Sequence, residues 1–410
     1  MRFLVGLAVA ATLASSSAVA EGDTLPIVVP TAMLQVDAQA HPQEEEGENG
    51  FSITRMRAGV WTNPTASMFG VAQAEFADPE HPTILDAYAR FGPWHGVRIA
   101  VGFSRSPLFE SARTELEGMT PLPELSLPAR AFWPGRDVGA ELQWTPTTLP
   151  LEGWLRVSNG SASPFANDNG SFAVTARVDA TAARGRWDTT GRECWGLRVG
   201  AGALTDDTFD RAGIGGRTAT GFTFYRPPTV SGPRRVVEGH ALAYAGPVRA
   251  LVEAGGSIEG RAADTDGNPA TPRVRLDPVL ARGAAVELAW MITGEHRVSS
   301  VWPVGARGKP WSFDRPAVEV AARAERVDLG RGTRDVAPGG ATGGTVAANV
   351  WLNELAGVTL SGALYSYDRA PIEETKRLDS WTLLARLTLL LNPLPLGSPQ
   401  IARTDPLTSR

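Results

Sequence analysis

Lysine is almost missing from this chain. Among 410 residues only Lys309 and Lys376 occur, so nearly all of the 39 basic side chains are arginine. A GC-rich coding sequence explains that bias as simply as a functional demand for guanidinium groups. Cysteine is limited to Cys194, which excludes an intramolecular disulfide framework and leaves stability to backbone pairing and packing. No stretch reaches the roughly 20 uninterrupted apolar residues that a membrane helix needs. The nearest, WTLLARLTLLLNPLPLG, carries Arg386 and two prolines. The five histidines, His41, His81, His95, His240 and His296, are scattered, and no GxSxG, HExxH or CxxC spacing occurs. The expectation is therefore no catalytic residue, no metal and no cofactor. DTDGN at 264–268 lacks the spaced glutamate of a calcium loop and reads as an acidic loop tip. A formal net charge of -5 offers no basic field for nucleic acid.

What is present begins with an export signal. MRFLVGLAVAATLASSSAVA has an early Arg2, an apolar run and a small-residue ending, and reads as a signal peptide of residues 1–20. Downstream, apolar residues recur at every second position. Val97, Ile99, Val101 and Phe103 alternate with Arg98, Ala100 and Gly102; Val286, Leu288, Trp290 and Ile292 oppose Glu287 and Thr293; Trp381, Leu383, Ala385, Leu387 and Leu389 oppose Thr382, Arg386 and Thr388. That period belongs to strands. The 44 glycines and 31 prolines, spread along the chain, mark frequent turns.

Connections between these segments alternate in kind. HPQEEEGENG, residues 105–134, SNGSASPFANDNG and RGTRDVAPGGATGG are long and polar, whereas TNPT, GPWHG, TTLP, GP and NELA are short; WPVGARGKPWSFDRP is a long exception on the short side. Strands of about ten residues with long loops at one rim and tight turns at the other fit a transmembrane antiparallel β-barrel, with long extracellular loops and short periplasmic turns. Sixteen strands are expected, at 27–40, 51–62, 66–77, 83–91, 96–104, 136–145, 150–158, 171–180, 194–204, 234–245, 247–260, 283–296, 314–328, 344–353, 357–367 and 379–391. Residues 218–226 would make an odd seventeenth and are assigned to a loop, because single-chain bacterial barrels have even strand numbers. The barrel occupies 21–392, in the outer membrane, and 393–410 form a C-terminal extension.

Parity then places the charges. In FSITRMRAGVW, Arg55 and Arg57 share one strand face, and a charge on the lipid side would cost about 2 to 4 kcal/mol at the midplane. They must face the lumen. Gln73, Glu75, Asp86, Arg90, Arg98, Arg177, Arg198, Glu287, Glu319, Arg323 and Arg386 fall on the same side. Arginines lining a watery pore attract anions through forked N–H donors. Opposed acidic and basic residues that merely stiffen the wall are the plain alternative, and Glu75 and Asp86 are placed to cancel the field of Arg55 and Arg57.

GFSITRMRAGVW, FGVAQAEF, ILDAYARF, VRIAVGFSRSP and PGRDVGAELQW, followed by VELAWMITGEHR and AVEVAARAERVDL, resemble successive strands of the phosphate-selective porin O and P family. The resemblance implies a homotrimeric sixteen-stranded channel for small anionic solutes such as phosphate, with a third loop folded inward. It places Arg55 and Arg57 on the arginine-rich second strand, Arg105 before Pro107 of the third loop, and Arg136 in the PGR turn after it. Arg98, Arg113 and Arg130 complete the candidate anion-binding and pore-lining set. The third loop departs from the family in having no lysine, and its Glu110, Glu115, Glu117 and Glu124 oppose Arg105, Arg113 and Arg130. Independently of that resemblance, Glu44, Glu45 and Glu46 read most simply as a solvated loop, with bridging to lipopolysaccharide through divalent cations as the second reading. A non-selective diffusion porin remains the alternative; a secreted soluble β-protein or a barrel-embedded hydrolase would be of another class.

Overall fold

The computed structural model describes residues 26–42, 49–114, 120–185, 195–263, 273–296, 316–353, 355–369 and 378–391. The signal segment, Glu44 to Glu46, Glu115, Glu117, Cys194, the 264–268 loop tip and the C-terminal extension lie outside them. The chain runs through β1 (Ile27–Ala40), β2 (Gly50–Thr65), β3 (Met68–Glu75), β4 (Thr83–Trp94) and β5 (Val97–Arg105), then the helices α1 (Glu110–Thr114) and α2 (Leu127–Phe132). It continues as β6 (Arg136–Trp144), β7 (Leu151–Ser158), β8 (Ala173–Gly185), β9 (Trp195–Ala212), the short β10 (Gly216–Arg217) and β11 (Thr223–Tyr225), and β12 (Thr229–Ala245). β13 (Val248–Ala263), β14 (Val274–Met291), β15 (Ala317–Arg331), β16 (Gly339–Trp351), β17 (Ala356–Tyr367) and β18 (Asp379–Leu391) complete it.

Sixteen of these strands pair antiparallel with their neighbours, and β18 closes on β1 through a register running from Ala32 opposite Leu391 to Ala40 opposite Leu383. The all-β barrel expected from the alternation is the fold observed. β10 and β11 pair only with each other, inside the connection where residues 218–226 were assigned to a loop. Strand ends differ more. β9, β12 and β14 reach past their expected limits on the long-loop side, where Thr205 to Ala212 ladders with Thr229 to Arg235. TDDTFDRA is polar on both faces, so it carries no apolar alternation although its backbone is fully strand-like.

The two faces of the wall are chemically opposite. Leu364, Val346, Leu360 and Leu383 point outward and are 69%, 62%, 58% and 58% exposed, while Arg177 and Arg249 on the inner face are 1% and 0% exposed. Trp94, Trp144 and Trp290 are exposed near the tight-turn rim, and Phe51 and Trp381 near the other. The inner face is not uniformly wet. Leu108, Phe109, Leu127 and Phe132 from the third loop form an apolar core within the barrel together with Phe222, Phe224 and Tyr225 of the β9–β12 connection and the wall residues Val327, Leu329, Tyr365 and Tyr367. Phe224 stacks on Tyr367 at 5.5 Å. That internal core fills part of the lumen that the width of the barrel provides. Its cause is the third loop, whose apolar side chains have no outer face to occupy.

Candidate pore interior

The third loop leaves β5 at Arg105, crosses the lumen and returns at Arg136. Its anchors fit wall glycines: a Cβ at Gly202 would meet Leu108 Cδ2 at 2.5 Å, and one at Gly255 would meet Phe109 Cζ at 2.7 Å. Phe109 itself has φ 59, in the left-handed region that side chains rarely adopt, and sits there fully buried. Leu122 is 1% exposed among Ala289, Ala321 and Ala347, where small wall residues leave it room.

Wall side chains then grip the loop, and mostly by its main chain. Arg177 donates to Pro107 O at 3.0 Å, Arg323 to Glu124 O at 2.8 Å, Arg386 to Pro123 O at 2.6 Å and Asn349 to Pro121 O at 2.7 Å. Arg156 donates to Arg105 O at 3.0 Å. Two wall carboxylates take the loop's amides. Glu253 accepts from Ser111 N and Oγ at 2.9 and 2.6 Å, and Glu325 accepts from Leu127 N at 2.7 Å. The latter adds a carboxylate to the first turn of α2, whose Ser126 cap already accepts from Ala129 N.

Two buried ionic clusters complete the grip. Glu124 receives Arg55 at 3.2 Å, Arg130 at 2.7 Å and Arg386 at 2.8 Å, and Arg386 also forks onto Asp37 with both contacts at 2.7 Å. Burial raises the Glu124 carboxyl pKa, but Arg55, Arg386 and Arg130 outweigh it and hold the group down at about 2. In the second cluster Glu110 of α1 is fully buried against Arg177 and Arg198, while Arg177 also forks onto Asp179 at 2.7 and 2.8 Å. His240 Nε2 lies 2.9 Å from Arg177 and its Nδ1 lies 3.1 Å from Glu238. Glu110, Asp179 and His240 converge closely enough to hold a cation. Arg177 already contacts all three, which makes the cluster a poor fit for one.

The candidate arginines separate into groups. Arg55 and Arg130 meet on Glu124; Arg57 donates to Glu75 at 2.8 Å and Arg136 to Asp86 at 3.3 Å. Glu75 is therefore a partner of Arg57, as its strand position allowed, whereas Asp86 serves Arg136. Arg105 donates to Ala112 O at 3.0 Å within the loop. Arg98 is on the inner face of β5, in register with Gln143, and engages a neighbour. Arg113 lies over the Trp154 ring, 4.2 Å from its centre, and 3.7 Å from Asp179. Arg105 and Arg113 line a common cavity of about 70 Å³ between the loop and β4 to β7, shared with Arg90, Glu141, Gln143 and Trp154. Sequence reasoning placed Arg90 in the lumen but not in the anion-binding set, and it gave no signal for Gln143 or Trp154, which are ordinary members of an alternating strand.

Solved structures resemble this architecture over nearly its whole length. An anion-selective porin from Comamonas acidovorans superposes with a TM-score of 0.58 at 8% identity, covering 90% of this chain and 100% of that one. The fold is that of a porin barrel. The complex of Salmonella typhi OmpF with daunomycin gives 0.53 at 12% identity, over 90% of this chain and 100% of the other. OmpT, an outer membrane protein of Vibrio cholerae folded in vitro, gives 0.56 at 10% identity, over 92% and 100%; another OmpT structure is a trimer form, at 0.55 and 9% identity, over 89% and 100%. No family model and no curated protein matches the sequence.

One expectation is overturned by these likenesses. The absence of catalytic motifs was read as the absence of an enzyme, yet the similar structures include OmpT at 10% identity, and a barrel shared at that level decides neither for nor against catalysis. The buried grouping of His240 with Asp179 and Glu238 also shows that scattered sequence positions did not exclude a histidine–carboxylate constellation.

Proposed function

We propose that this chain is an outer-membrane porin, a water-filled channel for passive uptake of small solutes, with anions such as phosphate preferred. The observation that carries the reading is the opposition of the two wall faces. An outer apolar surface with aromatic residues near both rims suits lipid, while charged and forked donors line the inside around an inward-folded loop. The resemblance to the phosphate-selective porin O and P family, export by cleavage of residues 1–20, contact with lipopolysaccharide and a homotrimeric state belong to the same proposal. The candidate lining is Arg55, Arg57, Arg98, Arg105, Arg113, Arg130 and Arg136.

A second reading has its own support. Arg57 with Glu75, Arg136 with Asp86 and Arg55 with Glu124 are neutralised pairs, the arrangement of a wall that orders water without choosing an ion. Planar-bilayer recording decides between them. Discrete conductance steps with a reversal potential on the anion side in a salt gradient support the first, and replacing Arg55 and Arg57 together with Gln should move that potential toward cations, most at low ionic strength. Unchanged selectivity would favour the general diffusion porin. No conductance from correctly folded barrels would sink both.

A further inference from the structure

The outer face of the wall carries arginines of its own, and they lie at one depth on one arc. A transmembrane strand needs about 9 to 11 residues. Counted from the tight-turn ends of β12, β14 and β15, at Ala245, Met291 and Ala317, that span ends at Arg235, Arg282 and Arg326, each on the outward parity of its strand. A charge is tolerated on the lipid side at that edge. Elsewhere the edge is apolar: the outward positions at the long-loop ends of β2, β4, β7 and β8 are Ile53, Ile84, Val157 and Val174, all exposed.

Arg235 and Arg282 stand at opposite corners of a small lattice. Arg235 is paired with Ile258 and Ile258 with Leu280, while Val237 is paired with Gly256 and Gly256 with Arg282. With strands about 4.8 Å apart and about 3.4 Å per residue, the two Cα atoms are about 12 Å apart. Val237, Ile258 and Leu280 are exposed between them, and Gly256 leaves the centre without a side chain. The nearby carboxylates are mostly engaged. Arg326 forks onto Asp368 at 2.8 and 2.7 Å and meets Asp328 at 2.6 Å, and Arg331 reaches both. Arg282 lies 3.3 Å from Asp328 with its side chain 82% exposed. Arg235 has Asp207 on the same face of β9, two positions further out, and among the described residues no carboxylate is within ion-pair range of it.

We propose that this patch holds the phosphate headgroup of an anionic membrane lipid, in the leaflet on the long-loop side. The proposal rests on the outer-membrane placement of the chain and on nothing that the channel passes. Depth selects the ligand. Phosphate is the anion that bilayer lipids carry where their hydrocarbon ends, and guanidinium forks match its oxygens. The acyl chains then continue down the wall over Val252 and Val286, which pair with each other and are both exposed. A second copy of the chain would be the rival occupant, yet the opposite arc presents Ile53, Ile84, Val157 and Val174 at this edge, and none of these answers an arginine.

Native mass spectrometry of the full-length, detergent-solubilised barrel titrated with diphosphoryl lipid A tests this directly. Saturable binding is expected, at least about tenfold tighter than that of dephosphorylated lipid A. At about fivefold per arginine near a membrane surface, Arg235→Gln combined with Arg282→Gln should weaken it about 25-fold. Should that pair fail to give a heat-modifiable barrel, Arg235→Gln alone is the second variant, with a loss of about fivefold. Absence of saturable binding, equal binding of the dephosphorylated lipid, inorganic phosphate displacing the lipid with equal affinity, or wild-type affinity in a folded variant would overturn the site. So would a variant whose only change is the loss of association between copies. A barrel that binds lipid A but passes no current would instead sink the channel reading and leave this one standing.

Discussion

The interior has two arcs with the same charged vocabulary and opposite use of it. From β12 round to β2, guanidiniums and carboxylates are consumed by the third loop: Arg323, Arg386 and Arg55 all end on its 123–125 segment, and Glu253 and Glu325 take its amides. From β4 to β7 the loop is met by Arg156, which holds Arg105 O, and by Trp154 beneath Arg113, while Gln143 Nε2 borders a small cavity with no hydrogen-bond partner among the described residues. The difference teaches that an arginine on a lumen face is not by itself a ligand-binding arginine. What decides is whether the protein has already supplied an acceptor.

The strongest way to break this contrast is to cut the grip. Arg386→Ala strips partners from Asp37 and Glu124 and frees Pro123 O, and removing one member of a buried pair costs about 3 to 5 kcal/mol. The urea midpoint should fall accordingly and channel conductance should rise; an unchanged midpoint would mean that the loop is held elsewhere. Acid should act on the same point more gently. Because the Glu124 carboxyl is depressed in the fold, its contribution is complete above the ordinary value of 4.5 and lost as pH falls through about 2. Conductance recorded in that window should climb reversibly in the wild type and stay flat in Glu124→Gln.

Packing gives a finer comparison. A Cβ at Gly255 would strike Phe109 at 2.7 Å, so Gly255→Ala should cost about 1 to 3 kcal/mol. Gly153 on β7 has its nearest neighbour at 3.7 Å, and Gly153→Ala should stay within about 0.5 kcal/mol in the same unfolding assay. Equal effects would deny that Phe109 of the loop presses on Gly255. Smallest of all is Arg90→Gln, whose side chain donates to Tyr88 Oη and rests on two ring faces. It should cost no more than about 1 kcal/mol, and a loss as large as that of Arg386→Ala would reveal that Arg90 too is a structural pin.

Much of this barrel was readable from alternation because the environment imposes it. Wherever one side of a strand is apolar and the other charged, period two fixes the strand and the face at once, as for Val286 to Trp290 against Glu287. The reading failed where that asymmetry ends, at the polar extensions of β9, β12 and β14. Lumen-facing arginines were legible for the same reason, but their partners were not. Arg55 and Glu124 are 69 positions apart and Arg386 and Glu124 are 262, and nothing local encodes such distances. The cavity was less legible still, since Gln143 and Trp154 acquire meaning only when the loop brings Arg113 against them.

The wall's hold on main-chain carbonyls has a consequence for inheritance. Pro107 O, Pro121 O, Pro123 O, Glu124 O and Leu125 O are acceptors that almost any replacement side chain would preserve. Mutational drift can therefore rewrite much of the loop while its path across the barrel persists, provided the few residues with no substitute, Glu110, Glu124 and the buried apolar anchors, are kept. Selection on what passes through could then act on loop side chains facing the cavity, such as Arg113, without renegotiating how the loop is hung.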